Sequence, residues 1–352
     1  MKLFIPGPVD VRKDLLKYMS KPLIGHRTKE ISDIQKRIQK NLRKIMKTNN
    51  PVVLLTGSGT SAMESSLCSL VKKKAAVFSI GAFGNRFYDI AKAHSLDVDK
   101  VFFGFGNHIE PEIFKEKLQS GLYDVITVTH NETSTGIMND LKTLSKIWKQ
   151  YPEVLVIVDS ISSFGGFDLP VDDLGIDVLL TATQKSLGLP PGIAIMSLSE
   201  KVLKRLEEVE ERSYYLSLRR IYKKHKENYQ YPTTPNISLM MALDYQLDYI
   251  VNKEGIDNRF KRHKILANYT REWAKKHFKL FAEERYASQT VTTIVNTKNL
   301  DLDKLSVNLK KKGYLFAHGY GPMKNKTFRI GHMADRTLKD LKKYIKEIEK
   351  SW

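Results

Sequence analysis

The segment Val154-Leu155-Val156-Ile157-Val158-Asp159-Ser160 is an unbroken apolar run followed directly by a carboxylate and a hydroxyl. A short run of this kind, rich in β-branched residues, predicts a strand that is buried on both faces of a sheet. Similar runs recur over the first two-thirds of the chain, where they alternate with amphipathic stretches. This alternation predicts an α/β fold in which a mainly parallel sheet is covered by helices on both faces.

The other elements follow from the same periodicity. Strands are predicted at 52–56, 75–80, 125–128, 178–180 and 193–197, and helices at 61–71, 111–119 and 141–150. Residues 200–275 are charged and helical in pattern, and the remainder predicts strands at 290–295 and 327–330 with helices at 302–312 and 338–349. We therefore expect an N-terminal arm at 1–15, a large domain at 16–250 and a small α+β domain at 251–352.

The net charge of +19 raises the question of nucleic-acid binding. Basic clusters occur at 72–74, 223–226, 261–264 and 310–312, but they are scattered and lack interleaved aromatic residues. That distribution favours solvated helix faces and loops over a nucleic-acid surface. We expect no nucleic-acid partner.

Two further features concern location. No apolar run is long enough to span a bilayer, and Pro6 and Pro8 interrupt the apolar N-terminus, so neither a membrane association nor a signal peptide is expected. Cys68 is the only cysteine, which excludes an intrachain disulfide and fits a reducing cytoplasm.

Parallel sheets bind ligands beyond the carboxyl ends of their strands. The loop Gly57-Ser58-Gly59-Thr60-Ser61 follows one such strand and precedes a helix, where glycines and free N–H groups favour a phosphate. Its glycine spacing also resembles a degenerate dinucleotide fingerprint, which requires an acidic residue at the end of the next strand. That strand ends at Ser79-Ile80-Gly81, so we discount a dinucleotide.

Four other loops should meet this one. Phe83 is flanked by small residues and could lie flat on a planar ring. Segment 130–136 is dense in hydrogen-bonding groups. Asp159 could ligate a metal or pair with a protonated ring nitrogen. No second acid or histidine lies nearby in sequence to complete a metal site. Lys185, among small polar residues, is suited to form a Schiff base with a carbonyl cofactor. The order of phosphate loop, aromatic, aspartate and lysine favours pyridoxal phosphate.

These residues resemble the class V pyridoxal-phosphate aminotransferases, the group that contains alanine–glyoxylate and serine–pyruvate aminotransferases. The resemblance runs from Pro6-Gly7-Pro8 to Gly331-His332-Met333, and its most specific parts are Val158-Asp159-Ser160, Thr183-Gln184-Lys185 and Phe328-Arg329-Ile330-Gly331. It implies the type I pyridoxal-phosphate enzyme fold, with a seven-stranded sheet, a large domain that binds the cofactor, and a homodimer.

The resemblance also implies roles for individual residues. Lys185 would carry the cofactor as a Schiff base and Asp159 would pair with its pyridine nitrogen. The remaining cofactor contacts would come from Ser58, Gly59, Thr60 and Gln184 at the phosphate, Ile161 and Phe83 on the two ring faces, Thr133 at the phenolic oxygen, and Tyr231 and Thr234 reaching the phosphate of the partner subunit. Many relatives have Trp where Phe83 stands, so ring stacking is expected to be weaker here.

On the substrate side, Arg329 would clamp the α-carboxylate in a bidentate pair. The expected reaction is a ping-pong transfer of an amino group from a small amino acid, serine or alanine, to a 2-oxo acid, pyruvate or glyoxylate. Freed Lys185 would move the α-proton as general base and acid.

Three alternatives remain open. A cysteine desulfurase needs a mobile nucleophilic cysteine, whereas Cys68 falls within a predicted helix and Gln184 stands where desulfurases tend to place histidine. A phosphoserine aminotransferase is suggested by His26 and Arg27, which resemble the pair that binds the substrate phosphate in that family, and His318 could add a further group. The other interpretation is that His26 and Arg27 only support the active site near the substrate. An aspartate aminotransferase of the same fold is the third, and a basic nucleic-acid-binding protein, suggested by the net charge alone, is a more remote possibility.

Overall fold

The computed structural model describes the whole chain, residues 1–352. The strands in chain order are β1 (Lys2–Leu3), β2 (Val52–Gly57), β3 (Ala75–Ser79), β4 (Val98–Phe102), β5 (Val125–Thr129), β6 (Asn131–Glu132), β7 (Ile137–Met138), β8 (Leu155–Asp159), β9 (Val178–Ala182), β10 (Gly192–Leu198), β11 (Lys279–Leu280), β12 (Val291–Val295), β13 (Tyr314–Leu315), β14 (Ala317–His318) and β15 (Thr327–Gly331).

The helices in chain order are α1 (Lys13–Met19), α2 (Lys29–Met46), α3 (Gly59–Leu70), α4 (Ala82–Ala93), α5 (Pro111–Gln119), α6 (Leu141–Trp148), α7 (Val171–Leu174), α8 (Glu200–Arg205), α9 (Leu218–Asn228), α10 (Ile237–Asp248), α11 (Ile256–His277), α12 (Leu302–Lys311) and α13 (Leu338–Glu349). A π-helical turn, Tyr249–Glu254, joins α10 to α11. No helix combines the length and the apolarity needed to cross a membrane.

Seven strands form the main sheet, in the spatial order β2-β10-β9-β8-β5-β3-β4. β10 runs antiparallel to both of its neighbours, and every other pair in the sheet is parallel. The prediction of a mainly parallel seven-stranded sheet is therefore confirmed. Because parallel strands end at the same edge, the loops that carry the candidate site residues are brought together there.

Alternate residues of each strand bury against opposite helical layers. In β2, Leu54 joins a cluster with α2, α6 and α10, whereas Val53 and Leu55 join a second cluster with α3, α4 and α9. The period of two along a strand thus builds one core on each face of the sheet.

A second, four-stranded antiparallel sheet has the order β11-β12-β15-β14. Residues of α11, α12 and α13 pack with this sheet in a separate apolar cluster. Phe4 belongs to that cluster and stacks on Tyr344 with ring centroids 3.9 Å apart, while β1 pairs in parallel with β13. The N-terminal arm is therefore attached to the C-terminal α+β part of the chain, and 16–250 and 251–352 remain our proposed domain bounds.

The longest elements that the sequence analysis missed are the 18-residue helix α2, the strand β4 and the helix α4; the short helices α1 and α7 and the two-residue strands were missed as well. The segment around Phe83 was interpreted as a loop, but it is the first turn of α4. Two backbone N–H groups of this turn donate to the side chain of Glu132, so a residue distant in sequence holds the helix start.

Candidate active site

The loops at the carboxyl edge of the main sheet come within contact distance of one another. A Cβ on Gly59 would lie 2.2 Å from Ile161 Cδ1 and 3.5 Å from Ala182 Cβ, so the loops after β2, β8 and β9 meet. A Cβ on Gly81 would lie 2.5 Å from Glu132 Cγ, which brings the segments after β3 and β5 together. Glycine at these positions is required by the close approach.

Lys185 follows β9 and is half-buried in this cluster. Its Nζ donates a hydrogen bond to the carbonyl of Pro6, and Gly7 adopts a φ of +116° against the lysine side chain. Burial and the positive charge of Arg329 lower the pKa of Lys185 to about 8, against the opposing effect of Asp159. The neutral fraction of this amine near neutral pH is therefore much larger than that of an ordinary lysine, and a nucleophile or base needs the neutral form.

Asp159 ends β8 and is 4% exposed. Its Oδ1 accepts a hydrogen bond of 2.8 Å from the backbone N–H of Ile161. Burial raises the pKa of Asp159 to about 7, and the Glu132 charge adds to the rise, whereas Lys185 and Arg86 oppose it. The carboxyl group makes no ion pair within the chain, so it is available to a cationic group of a ligand.

Glu132 is a site residue that the sequence analysis did not single out. It is fully buried, and its carboxylate accepts from the N–H groups of Phe83 (3.0 Å), Gly84 (3.1 Å) and Ser134 (3.0 Å). A carboxylate at a helix N-terminus satisfies unpaired N–H groups and complements the helix dipole. Glu132 thereby fixes the orientation of Phe83 and the rest of α4 above the sheet.

The predicted phosphate loop precedes and opens α3. Ser58 is the N-cap of this 12-residue helix, and its side chain makes no capping bond. The Ser61 N–H donates to the Ser58 carbonyl at 2.9 Å, which leaves the Ser58 hydroxyl and the N–H groups before Ser61 available to a ligand. Thr60 Oγ1 accepts from Arg86 Nη1 at 3.2 Å. Gln184 Oε1 is buried without a hydrogen-bond partner. These groups form a polar cradle at a helix N-terminus, as expected for an anion site.

The remaining predicted cofactor contacts surround the same space. Phe83 and Ile161 are both half-buried, and the Phe83 ring centroid lies 5.7 Å from that of Tyr320. The hydroxyls of Thr133 and Ser162 are hydrogen-bonded to each other.

Arg329 projects from β15 toward this space. Its Nε donates to the carbonyl of His318 at 3.0 Å and its Nη1 to the carbonyl of Thr133 at 3.1 Å. Burial lowers the pKa of Arg329 to about 10. The guanidinium has no carboxylate partner in the chain, and a free cation of this shape suits a substrate carboxylate.

Four predicted residues lie in a different environment. Tyr231 is buried in the large core, with its hydroxyl donating to Gln35. Thr234 is exposed, and His26 is half-buried. Arg27 donates to the carbonyls of Tyr231 and, at 3.4 Å, Pro232. Arg27 thus supports the 231–235 segment within the single chain, and the roles assigned to these residues by resemblance stay predictions.

Cys68 lies in α3 and is 2% exposed. Burial raises the pKa of its thiol to about 11. A thiol that is neither accessible nor ionised at neutral pH is unsuited to nucleophilic attack, which argues against the desulfurase alternative.

The arrangement fits pyridoxal phosphate on grounds of its own chemistry. Within the chain, Asp159 has no cationic partner, Lys185 has no anionic partner, and the buried Oε1 of Gln184 has no donor. Unpaired buried groups of this kind are costly in a folded protein unless a ligand completes them. A ligand with a carbonyl for Lys185 and a basic ring nitrogen for Asp159 satisfies the first two groups, and a phosphate on the same ligand suits the free N–H groups at the α3 N-terminus.

Comparison with known proteins agrees with this geometry. The family model for "Aminotransferase class-V" matches residues 11–320. An uncharacterized aminotransferase of Methanocaldococcus jannaschii is 39% identical over 94% of this chain and 87% of its own length. Alanine–glyoxylate aminotransferase 1 of Saccharomyces cerevisiae is 31% identical over 94% of this chain and 91% of its own.

The crystal structure of a subgroup IV aspartate aminotransferase from Thermus thermophilus superimposes with a TM-score of 0.91 at 26% identity, and each chain is covered completely. The fold and the matched family lead to the same conclusion as the site, whose groups suit a carbonyl, a ring nitrogen and a phosphate. The chain belongs to the class V aminotransferases and is a transaminase that uses pyridoxal phosphate.

Proposed function

We propose that this transaminase moves the amino group of a small amino acid, serine or alanine, to pyruvate or glyoxylate in a ping-pong reaction. The observation that carries the proposal is the grouping of Lys185, Asp159 and Arg329 at one edge of the sheet, each without an ionic partner in the chain. The yeast relative, named for alanine and glyoxylate, supports the choice of substrates.

Lys185 is the proposed covalent anchor and proton carrier. With its pKa lowered to about 8, the amine is partly neutral at pH 7–8 and can take a proton from the substrate α-carbon and return one nearby. Contact with the Pro6 carbonyl and Gly7 restricts where Nζ can lie. The N-terminal arm therefore aims the catalytic amine.

Asp159 is proposed to hold a proton on the cofactor's ring nitrogen. Pyridoxal phosphate, when bound, supplies an electron sink that stabilises negative charge at the substrate α-carbon. The buried carboxylate is stabilised once it faces a ring N–H⁺, since the opposite charge lowers its pKa from the raised value. Phe83 and Ile161 would confine the ring from its two faces.

Arg329 is proposed to bind the substrate α-carboxylate. The carbonyls of His318 and Thr133 orient the guanidinium from one side, which leaves its other N–H donors for a bidentate contact. Because its charge also lowers the pKa of Lys185, a bound carboxylate would raise that pKa and favour proton uptake by the amine.

We further propose a homodimer. Tyr231–Pro235 resembles the segment that reaches the partner's phosphate, and exposed Thr234 is free to do so. The helices α1 and α10 pack together and expose apolar side chains. These are Leu16 on α1, Leu23 shortly after α1, and Tyr245 on α10. Exposed apolar surface of this kind is typical of interfaces. A cytoplasmic location remains a prediction from the single cysteine.

Two other donors compete with serine and alanine. The Thermus structure is named for aspartate, so a dicarboxylic donor is the second candidate. For phosphoserine, Arg27 would have to bind the substrate phosphate, yet its guanidinium is engaged by the carbonyls of Tyr231 and Pro232. We therefore expect Arg27→Ala to affect all donors by similar factors.

A panel of half-reactions tests the proposal. The loaded enzyme is mixed with L-serine, L-alanine, L-aspartate or phosphoserine, and the decay of its visible absorbance gives kcat/KM for each. Serine or alanine should exceed the other two. Arg27→Ala is compared with Arg37→Ala, which removes an exposed arginine of α2 paired with Asp244. A preference for phosphoserine that only Arg27→Ala abolishes would refute the assignment.

A further inference from the structure

Arg86 lies on the second turn of α4, beside the phosphate loop. Its Nη1 donates 3.2 Å to Thr60 Oγ1, and its guanidinium carbon lies 4.7 Å from the centroid of the Phe83 ring. The side chain therefore bridges the loop that opens α3 and the aromatic residue expected on the cofactor ring. The sequence analysis assigned Arg86 no role.

The guanidinium is poorly satisfied by the chain itself. Its single hydrogen bond goes to a neutral hydroxyl, and it forms no ion pair. Other half-buried arginines are better compensated: Arg205 contacts Asp124 at 2.7 Å, and Arg219 donates to the backbone carbonyls of Leu206 and Val209. A half-buried cation with spare donors at the edge of a ligand site favours an anionic ligand.

The proposed phosphate contacts lack a charged group. Ser58, Gly59, Thr60 and Gln184 are all neutral, and the N-terminus of α3 contributes only a partial positive charge. A phosphate monoester carries about two negative charges at neutral pH. The cradle therefore has too little positive charge for its ligand unless a nearby cation contributes.

We propose that Arg86 is a phosphate-binding residue of this enzyme, supplying the positive charge of the α3 cradle while Thr60 holds its guanidinium in place. Two features of the fold make this possible. Glu132 anchors the first turn of α4 at the sheet edge, and Gly84, packed against Ser79 at this point, lets the helix approach closely. The inference depends on the cofactor and is independent of which amino acid is the donor.

The test compares cofactor affinities with and without the phosphate. Apoprotein is titrated with pyridoxal phosphate or with pyridoxal, for wild type, Arg86→Gln and Arg86→Lys, with binding followed by absorbance. Arg86→Gln should weaken pyridoxal phosphate about ten- to a hundred-fold, the worth of a charge-assisted hydrogen bond, and leave pyridoxal within about two-fold. Arg86→Lys, which keeps the charge without the fork, should fall between the two.

A second readout uses inorganic phosphate alone. Millimolar phosphate should raise the melting temperature of the wild-type apoprotein and have little effect on Arg86→Gln. Arg43→Gln is the matched control, since Arg43 is a half-buried arginine on α2 that donates to the Asn50 carbonyl at 2.7 Å, away from the site. It should behave as wild type with both cofactor forms.

Equal weakening of pyridoxal phosphate and pyridoxal would overturn the proposal, because it would place Arg86 at the ring through Phe83 or in the fold. Unchanged affinity for both would overturn it as well. If Arg86→Gln does not fold, the ratio of the two affinities in Arg86→Lys decides the question in the same way. Failure of the wild type to bind either form would instead refute the cofactor assignment.

Discussion

Asp159→Asn should stabilise the cofactor-free protein at neutral and alkaline pH. The pKa of Asp159 is raised from 3.8 to about 7, mainly by burial. Between these values the folded protein keeps a proton that the unfolded chain has released, so stability falls as pH rises through this window. At about 1.36 kcal/mol per unit of pKa shift, the wild type loses about 4 kcal/mol of its free energy of unfolding across this window. Asparagine does not ionise, so the variant keeps this stability.

Chemical unfolding of both apoproteins from pH 4 to pH 8, at one protein concentration, measures this effect. The free energies of unfolding should be similar near pH 4 and diverge toward pH 8 in favour of the variant. Buried His130 and His332, whose pKa values are lowered to about 3, change stability in the same way in both proteins and cancel from the difference. Lys185 has a pKa near 8 in the wild type, and loss of the Asp159 charge lowers it in the variant, which adds to the divergence in the same direction because the folded variant then binds fewer protons than its unfolded chain.

A difference that stays constant with pH, or that grows in favour of wild type, would refute the reasoning. It would show that Lys185 and Arg86 hold the carboxylate ionised despite its burial. In the loaded enzyme the order should reverse, because only the carboxylate compensates a protonated ring nitrogen. A cofactor-dependent gain in melting temperature that is larger for wild type than for Asp159→Asn would agree with this.

Three further substitutions have definite outcomes. Lys185→Ala should keep the melting temperature within a few degrees but lose transamination and the visible absorbance of lysine-bound cofactor; turnover near the wild-type rate would remove Lys185 from the chemistry. Arg329→Ala should lower kcat/KM for every amino acid by similar factors, equivalent to a loss of about 1.5–3 kcal/mol in transition-state binding. A loss confined to one donor in the half-reaction panel would contradict the proposed role of Arg329. Gly7→Ala should lower the free energy of unfolding of the apoprotein by about 1–3 kcal/mol and slow the half-reaction. The reason is that Gly7 has a φ of +116° and a Cβ at this position would lie 2.6 Å from Lys185 Cδ. If both values were unchanged, the N-terminal arm would be shown to adjust freely.

Several features of this protein follow from the sequence alone. Burial on both faces makes strands such as 155–159 and 178–182 continuous apolar runs, and the carboxyl-end rule then places Asp159 and Lys185 at one edge. The glycine-rich loop before α3 is also recognisable, because a strand, a turn and a helix N-terminus are all local sequence patterns. The family and its cofactor could be predicted from these residues.

Other features were decided only by the tertiary structure. Glu132 holds the start of α4 from 48 residues away, and Arg86 reaches Thr60 across 26 residues. The carbonyl of Pro6 meets Lys185 across 179 residues, and Arg27 meets Tyr231 across 204. Such contacts leave no periodic trace, since periodicity reports which face of an element is buried and not which distant group it meets. The raised pKa of Asp159 and the lowered pKa of Lys185 likewise exist only once the chain has removed both groups from water.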